Sequence, residues 1–394
     1  MQTRYVTRVG VRGFKALAGC VIDLGLLNVF IGPNGAGKSS LLEAVGLLSA
    51  AVYGRVDDES LLRRGVRLGQ PSTYKTALER LERIPRYIHL EAEGWGFRYR
   101  VDLDNPIHRP AKAWRFANEW FGRMAPEEKL VGRSPRSALD TSQGSLGLAE
   151  LPPQAQPLRE VLRAYRIFTP QTAVLRGTTP DNAPQSPWGL HGGGLAEALE
   201  TWFRQQPQDR QRIVSALRLW FDWVAGLDIA AASKRLGPPH LPISRKVFVF
   251  ADRYARQGRH RITAYDASEG VLHVLFLLAL ALHPEAPPLA AVDNVGYGLH
   301  PRLKRAVLSQ LADWLLARGD RQLLLTTHDP LILDGLPLLD DRVRLFVVER
   351  QTNGAVVVRR ITVDPDLWQK KEERGWALSD LWVEGWLGGV PNLW

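Results

Sequence analysis

One cysteine and two methionines supply all the sulfur in these 394 residues. A lone thiol, Cys20, cannot close an internal disulfide, so a disulfide framework is excluded and a reducing, cytoplasmic setting is expected. Long apolar runs are equally scarce. The longest, residues 271–282, contains His273 and falls well short of the roughly 20 residues that a bilayer-spanning helix needs. Residues 1–12 are charged and strand-like, unlike a basic segment followed by an apolar stretch, so no secretory signal is read there and no membrane is expected as a partner. Sustained heptads are missing, which excludes a long coiled-coil arm. No repeat of fixed period is visible.

What is present suits a large globular chain. Hydrophobic residues make up 45% and charged residues 23%, enough for a substantial core. The length suggests one large α/β domain with insertions, or two to three lobes. Lys and Arg outnumber Asp and Glu by 51 to 41, a net charge of +10, which favours an acidic partner with DNA or another nucleic acid foremost. Arginine far outnumbers lysine, as in proteins of GC-rich genomes, so codon bias is the alternative explanation for part of this charge.

Residues 5–11 and 21–31 read as strands, the second ending in an apolar run. A Gly-rich turn and a helix over 39–51 follow, the opening of a βα unit. Residues 88–90 and 97–101 read as a hairpin around Gly94-Trp95-Gly96. Residues 104–187, rich in Pro, Ser, Gly and Gln, read as loops with short helices, one over 158–165. Helical periodicity covers 195–203 and 210–224. A hairpin is expected over 246–253 and 259–265 around Gln257-Gly258. Thereafter helix 270–282, strand 289–292, helix 301–318, strand 322–326, a short helix 330–333 and strands 343–348 and 355–361 alternate as in a mainly parallel sheet.

Gly32-Pro33-Asn34-Gly35-Ala36-Gly37-Lys38-Ser39 fits G-x-x-x-x-G-K-[ST] in full, after an apolar strand and before a helix. Glycines let the backbone turn its N–H groups inward onto phosphate oxygens, and the helix adds its positive end. Asn34, Gly35, Ala36, Gly37, Lys38, Ser39 and Ser40 are thus expected to cradle ATP, with Lys38 on the β and γ phosphates and Ser39 on Mg²⁺. Leu289-Ala290-Ala291-Val292-Asp293 is a short apolar strand ending in a carboxylate suited to hold that Mg²⁺. Asn294 follows. An amide orients water but cannot take its proton, so hydrolysis is expected to be slow. His328, after the strand 322–326, is placed to sense the γ phosphate, and Asp329 stands beside it as a second possible substitute base. Ser268-Glu269-Gly270 opens an apolar helix, with Ser268 as N-cap and Gly270 beside it, an anion site of the signature kind.

Together these motifs, with Arg12-Gly13-Phe14-Lys15, Gly298-Leu299-His300-Pro301 and Thr327-His328-Asp329, resemble the SMC/RecF-like ABC-type AAA ATPases of bacteria, including OLD-type and Septu-type defence ATPases. The tail Leu378-Ser379-Asp380-Leu381-Trp382 with Gly388-Gly389-Val390-Pro391 also looks like the C-termini of such proteins. The resemblance implies an α/β P-loop NTPase head with a mixed sheet, a parallel core, an antiparallel β subdomain and an inserted helical lobe. The corresponding boundaries are 1–103 and 104–187 for the first lobe and its irregular insertion, 188–244 for the helical subdomain, 245–365 for the second lobe and 366–394 for a Trp-rich tail. It implies a homodimer closed over two nucleotides, a separate nuclease-type effector, and a first-lobe glutamine on Mg²⁺, for which Gln171 is the candidate. Asn294 departs from the family's glutamate, no Toprim-like acidic cluster follows His328, and the absence of an L-S-G-G-Q signature argues against a transporter subunit.

Two further features read in either of two ways. Arg245, Lys246, Arg253, Arg256, Arg259 and Arg261 suit phosphate contact or a solvated hairpin. Trp368, Trp376, Trp382, Trp386 and Trp394 suit a tail docked on the body or a partner surface.

Overall fold

The structure, a computed structural model, describes residues 4–81, 83–133, 141–182, 187–231, 245–256, 260–362, 375 and 377–390. The chain divides into two compact units.

The first unit comprises residues 1–167, 287–295 and 315–394. It holds an antiparallel sheet of β1 (Val6–Arg12), β2 (Cys20–Asp23), β4 (Ile88–Gly94), β5 (Phe97–Asp104), β6 (Arg115–Met124) and β7 (Glu127–Arg133), in the order β2-β1-β4-β5-β6-β7. Its second sheet runs β15-β14-β3-β13-β12-β8, with β3 (Leu27–Ile31), β8 (Arg166–Phe168), β12 (Leu289–Val292), β13 (Gln322–Thr326), β14 (Val343–Arg350) and β15 (Val356–Ile361). Within it β14, β3, β13 and β12 pair in parallel, while β15 joins antiparallel. Helix α1 (Lys38–Tyr53), short α2 (Asp58–Leu62) and α3 (Pro71–Tyr74), and α4 (Gln156–Ala164) complete the unit with a 3₁₀ turn, Pro330–Gly335, and a C-terminal helix, Leu378–Val383. α1 is buried from Leu41 to Val52, so it lies within the core.

The segment expected as one strand over 21–31 is two strands in different sheets. Burial alternates along β2 but is complete along β3, as an antiparallel strand with one wet face and a central parallel strand require. The break falls at Gly25, whose N–H and C=O both bond the Asn28 side chain. Residues 104–187 are also more regular than expected, because β6 and β7 extend the antiparallel sheet. The hairpin at Trp95-Gly96 forms as read, with φ of 53° and 80°, the left-handed pair that a tight two-residue turn needs.

This sheet carries a pH-sensitive pair of strands. His89 Nδ1 lies 2.7 Å from Asp102 Oδ1, and Asn118 Nδ2 donates to Asp102 Oδ2 at 2.7 Å. Bonds to Asp102 and Glu91 push the imidazole up from 6.5 to about 9. A raised folded-state value stabilises fully below pH 6.5, and that contribution disappears as pH climbs through 9. Thermal melts between pH 6 and 10 should show the wild type losing more stability than His89→Gln. The ring is 37% exposed, so screening holds the difference to about 1 kcal/mol or less.

The second unit comprises residues 168–286 and 296–314. It contains α5 (Thr172–Leu175), α6 (Leu195–Gln205), α7 (Pro207–Arg218), the buried α8 (Glu269–Leu282) and most of α9 (Pro301–Arg318). A three-stranded antiparallel sheet has the order β11-β10-β9, from β9 (Val224–Ala231), β10 (Lys246–Asp252) and β11 (Arg261–Thr263). The helix expected over 210–224 therefore stops at Arg218, and the chain turns into a strand that was not foreseen. Phe168, Trp188 and Phe276 pack edge-on and tilted at this unit's centre. Among the described residues no helix is long and apolar enough to cross a membrane.

Candidate nucleotide site

The phosphate cradle grows from the end of β3. That strand is wholly buried, so the chain must leave the core abruptly, and three glycines make the exit. Gly32, Gly35 and Gly37 have φ of 150°, 76° and 109°, values that residues with a Cβ avoid. A Cβ on Gly37 would also lie 2.7 Å from Val356 Cγ2. Around Gly35 nothing lies within 4 Å of that position, which leaves the tip open. Asn34 and Gly35 are exposed and Ala36 is buried. α1 begins at Lys38 with no side-chain cap, so its first N–H groups and the positive end of its dipole face the cradle.

Lys38 arches back over the loop, and its Nζ donates to Gly32 O at 2.7 Å and Pro33 O at 2.9 Å. Burial lowers its pKa, and the charge of Asp293 opposes that fall. Ser39 Oγ donates to Asp293 Oδ2 at 2.8 Å. Asp293 reaches this place because β12 and β13 run in parallel register, Val292 beside Leu325. Thr326 Oγ1 holds the other oxygen, Oδ1. One hydroxyl and one carboxylate, both oxygen donors, suit Mg²⁺, which takes its remaining ligands from water and phosphate. Ser40 follows in the first turn of α1, half-buried like Ser39.

Asn294 is exposed with φ of 61°, a left-handed conformation that asparagine tolerates better than most residues. Its N–H donates to Thr326 Oγ1 at 2.8 Å. His328 is exposed just beyond the end of β13, which is tied to β3 by Thr327 N–H on Phe30 O at 3.0 Å. Asp329 caps the 3₁₀ turn, with Oδ1 accepting from Leu331 N–H at 3.1 Å.

Thr326, Glu43 and Arg67 belong to this site without being singled out by its motifs. Thr326 binds both Asp293 and the Asn294 backbone, and its signal was its place at a strand end before Thr327-His328-Asp329. Glu43, one turn past Ser39, is 2% exposed and accepts from Arg67 Nε at 2.6 Å and Nη2 at 3.2 Å. Lys15, from the Arg12 to Lys15 motif, pairs with the same carboxylate. Burial would raise the pKa of Glu43, but the bonds and charges of Arg67 and Lys15 outweigh it and hold the carboxyl low. No local pattern marks such a pairing.

The other motif residues lie in the second unit. Ser268 precedes α8, exposed and making no cap bond. Gly270 is buried, and a Cβ there would sit 3.6 Å from Gly298 O. A Cβ on Gly298 would meet Glu269 Oε1 at 2.8 Å. The signature and the Gly298-Leu299-His300-Pro301 loop therefore converge. Gln171, exposed, precedes α5. Its N–H donates to His191 O at 3.0 Å, and its Nε2 lies 3.4 Å from His191 Nδ1.

In the basic hairpin, Lys246 pairs with Glu200 at 2.9 Å and Arg253 Nη1 donates to Asp222 O at 3.2 Å. Arg245, Arg256 and Arg261 are exposed, while Gln257, Gly258 and Arg259 lie outside the described residues. In the tail, Trp382 is 6% exposed and Trp386 49%. Trp382 Nε1 donates to Gly389 O at 3.3 Å, and a Cβ on Gly389 would lie 3.5 Å from Gly32 Cα. The tail thus docks against the base of the phosphate loop. Trp368, Trp376, Trp394 and Pro391 lie outside the described residues.

The family described as "AAA domain, putative AbiEii toxin, Type IV TA system" matches residues 27–119 and 204–334, together more than half of the chain. The DNA replication and repair protein RecF of Beutenbergia cavernae is 31% identical over 183 residues, which cover 45% of this chain and 43% of that protein. The match thus spans less than half of the relative's length. Two remote structural likenesses are the Smc head domain of Pyrococcus furiosus, with an extended coiled coil and bound to the C-terminal domain of ScpA, and the SMC head domain of Thermotoga maritima. The first has a TM-score of 0.49 at 11% identity, covering 94% of this chain and 99% of that one. The second has a TM-score of 0.42 at 12% identity, covering 91% and 99%. With its phosphate loop, its Asp293 and a family match over more than half of its length, the chain belongs to this AAA domain family.

Proposed function

We propose that this chain is an ATP-binding switch that dimerises when loaded and turns ATP over slowly, as part of a bacterial anti-phage or DNA-processing complex with a separate nuclease-type effector. The observation that carries the reading is Asn294. It stands exposed directly after Asp293, at the position where the family's usual glutamate would polarise the attacking water. Backbone N–H groups of the loop and Lys38 would hold the β and γ phosphates, with Mg²⁺ on Ser39 and Asp293, and bound Mg²⁺ would neutralise charge on the transferring group. Gln171 is the proposed third metal contact. Asn294 would orient water without taking its proton, and His328 would sense the γ phosphate. Ser268 and Gly270 of one copy would meet the γ phosphate held by the other, completing each site in the dimer. A setting in biological conflict draws support from the toxin–antitoxin description that the matching family carries.

Light scattering with and without Mg·ATP, alongside steady-state turnover, tests this. Mass should double with nucleotide and turnover should stay below about 0.1 s⁻¹. Turnover at ordinary rates of about 1–10³ s⁻¹ would reject the slow switch.

A second reading is a RecF-like ATPase acting directly on DNA, and the likeness to the Beutenbergia protein favours it. It requires DNA affinity that falls steeply with salt.

A further inference from the structure

The far end of α1 from the phosphate loop forms a second basic site. α1 begins at Lys38 and ends at Tyr53, so its ends are about 22 Å apart at 1.5 Å per residue. Around Tyr53 opens a cleft of about 580 Å³, lined by Arg55, Arg63, Arg64, Arg163 and Arg166, a size that suits a small ligand. Asp57, Glu59 and Glu160 are the carboxylates lining it, so cations outnumber anions there. Two of these carboxylates are already engaged. Asp57 Oδ2 accepts from Arg55 Nε at 2.5 Å, and Glu59 pairs with Arg63.

Arg64 is the informative member. It is 6% exposed, and its hydrogen bonds run to neutral oxygens: Nε to Ser49 Oγ and Nη1 to Ser60 O, each at 2.7 Å. Burial, followed by the positive charge of Arg166 and then of Arg163 and Arg63, pushes it down to about 10, with Tyr53 alone opposing the fall. Neutral acceptors satisfy its N–H groups but do not neutralise its charge. Two guanidiniums lie over the Tyr53 ring, Arg64 at 5.3 Å and Arg163 at 4.6 Å from its centroid. Cation–π contact of this kind holds both forks in place before a ligand arrives. Guanidinium forks pair bidentately with phosphate and carboxylate oxygens, and several forks lining one cleft suit an anion that carries several such groups, as a polyphosphate does.

We propose that this cleft is a second anion site, separate from the nucleotide site, for a ligand presenting closely spaced phosphate groups. Two sources share that chemistry: a free polyphosphate-bearing small molecule, and the phosphodiester backbone of a nucleic acid. The proposal does not depend on ATP-driven dimerisation.

The test uses the full chain carrying Lys38→Ala, which silences the phosphate loop, with and without Arg163→Gln. Arg163 is exposed, so its loss leaves the core intact, and a thermal melt of each variant verifies this. Inorganic tripolyphosphate and a 20-nucleotide single strand are titrated in turn by calorimetry at low salt. At least one probe should bind the Lys38→Ala protein, weaken at least tenfold with Arg163→Gln, and recover in part with Arg163→Lys. Tripolyphosphate alone behaving so identifies a small-molecule source, and the oligonucleotide alone identifies a backbone source. Failure of both probes to bind, or binding indifferent to Arg163→Gln, overturns the site.

Discussion

Lys38→Ala should reduce ATP affinity at least a hundredfold while leaving the fold intact. In the structure its ammonium is satisfied by the carbonyls of Gly32 and Pro33, which are neutral. Its charge is therefore available to a phosphate, and the removal of a charge-assisted bond to a buried anionic partner costs about 3 kcal/mol, or roughly two decades in Kd. Pro33 is half-buried, so its carbonyl can turn to water when it loses this donor. Isothermal calorimetry of both proteins with Mg·ATP gives the ratio directly. A loss smaller than threefold would mean that the loop does not carry the phosphates.

Asn294→Glu should speed hydrolysis, by about 10-fold to 100-fold, at a cost in stability. General-base assistance is worth roughly 10²–10⁴, but the gain here is limited by the backbone. Asn294 sits at φ 61°, and a glutamate there bears about 1 kcal/mol of left-handed strain, read as a melting temperature lower by a few degrees. Asn294→Asp separates the two effects. Aspartate tolerates that conformation nearly as well as asparagine, so the melt should hardly move, while its shorter carboxylate should give a smaller gain in turnover. If neither variant exceeds the wild type, the missing carboxylate is not what slows the reaction.

Much of the nucleotide-binding core was legible because its elements obey strong local rules. Short, mainly apolar runs that lead into glycine-rich or polar tips mark β3, β12 and β13, and the glycines and Lys38 mark the turn between β3 and α1. Strand 289–292, helix 301–318 and strand 322–326 fall where periodicity puts them. β6 was not legible, because Glu119 occupies a core position along it. That carboxylate is 2% exposed and accepts from Tyr99 Oη at 2.9 Å and from the backbone N–H groups of Ser145 and Leu146. Partners that distant in sequence cannot be foreseen, and without them a glutamate reads as a surface residue. β7 begins Glu127-Glu128-Lys129, all exposed, and as a sheet edge it carries the charges that edges favour. β9 followed an amphipathic helix without a clear stop signal.

The site shows the same division. Lys38, Ser39 and Asp293 were readable from spacing, and the structure brings Ser39 and Asp293 to hydrogen-bonding distance. Thr326, Glu43 and Arg67 act through contacts between segments far apart in the chain, which only the fold creates. Glu269 and Gly270 of the signature come up against Gly298 of the following loop within the second unit, a contact that spacing along the chain does not foretell.

Calorimetric titration of the purified wild-type chain with ATP in the presence of magnesium is the most direct test of nucleotide binding. One site per chain, with a dissociation constant in the micromolar range or tighter and lost on chelation of the metal, is the expected result. A folded protein that gives no binding heat at several temperatures, and no shift in melting point with Mg·ATP, would contradict it.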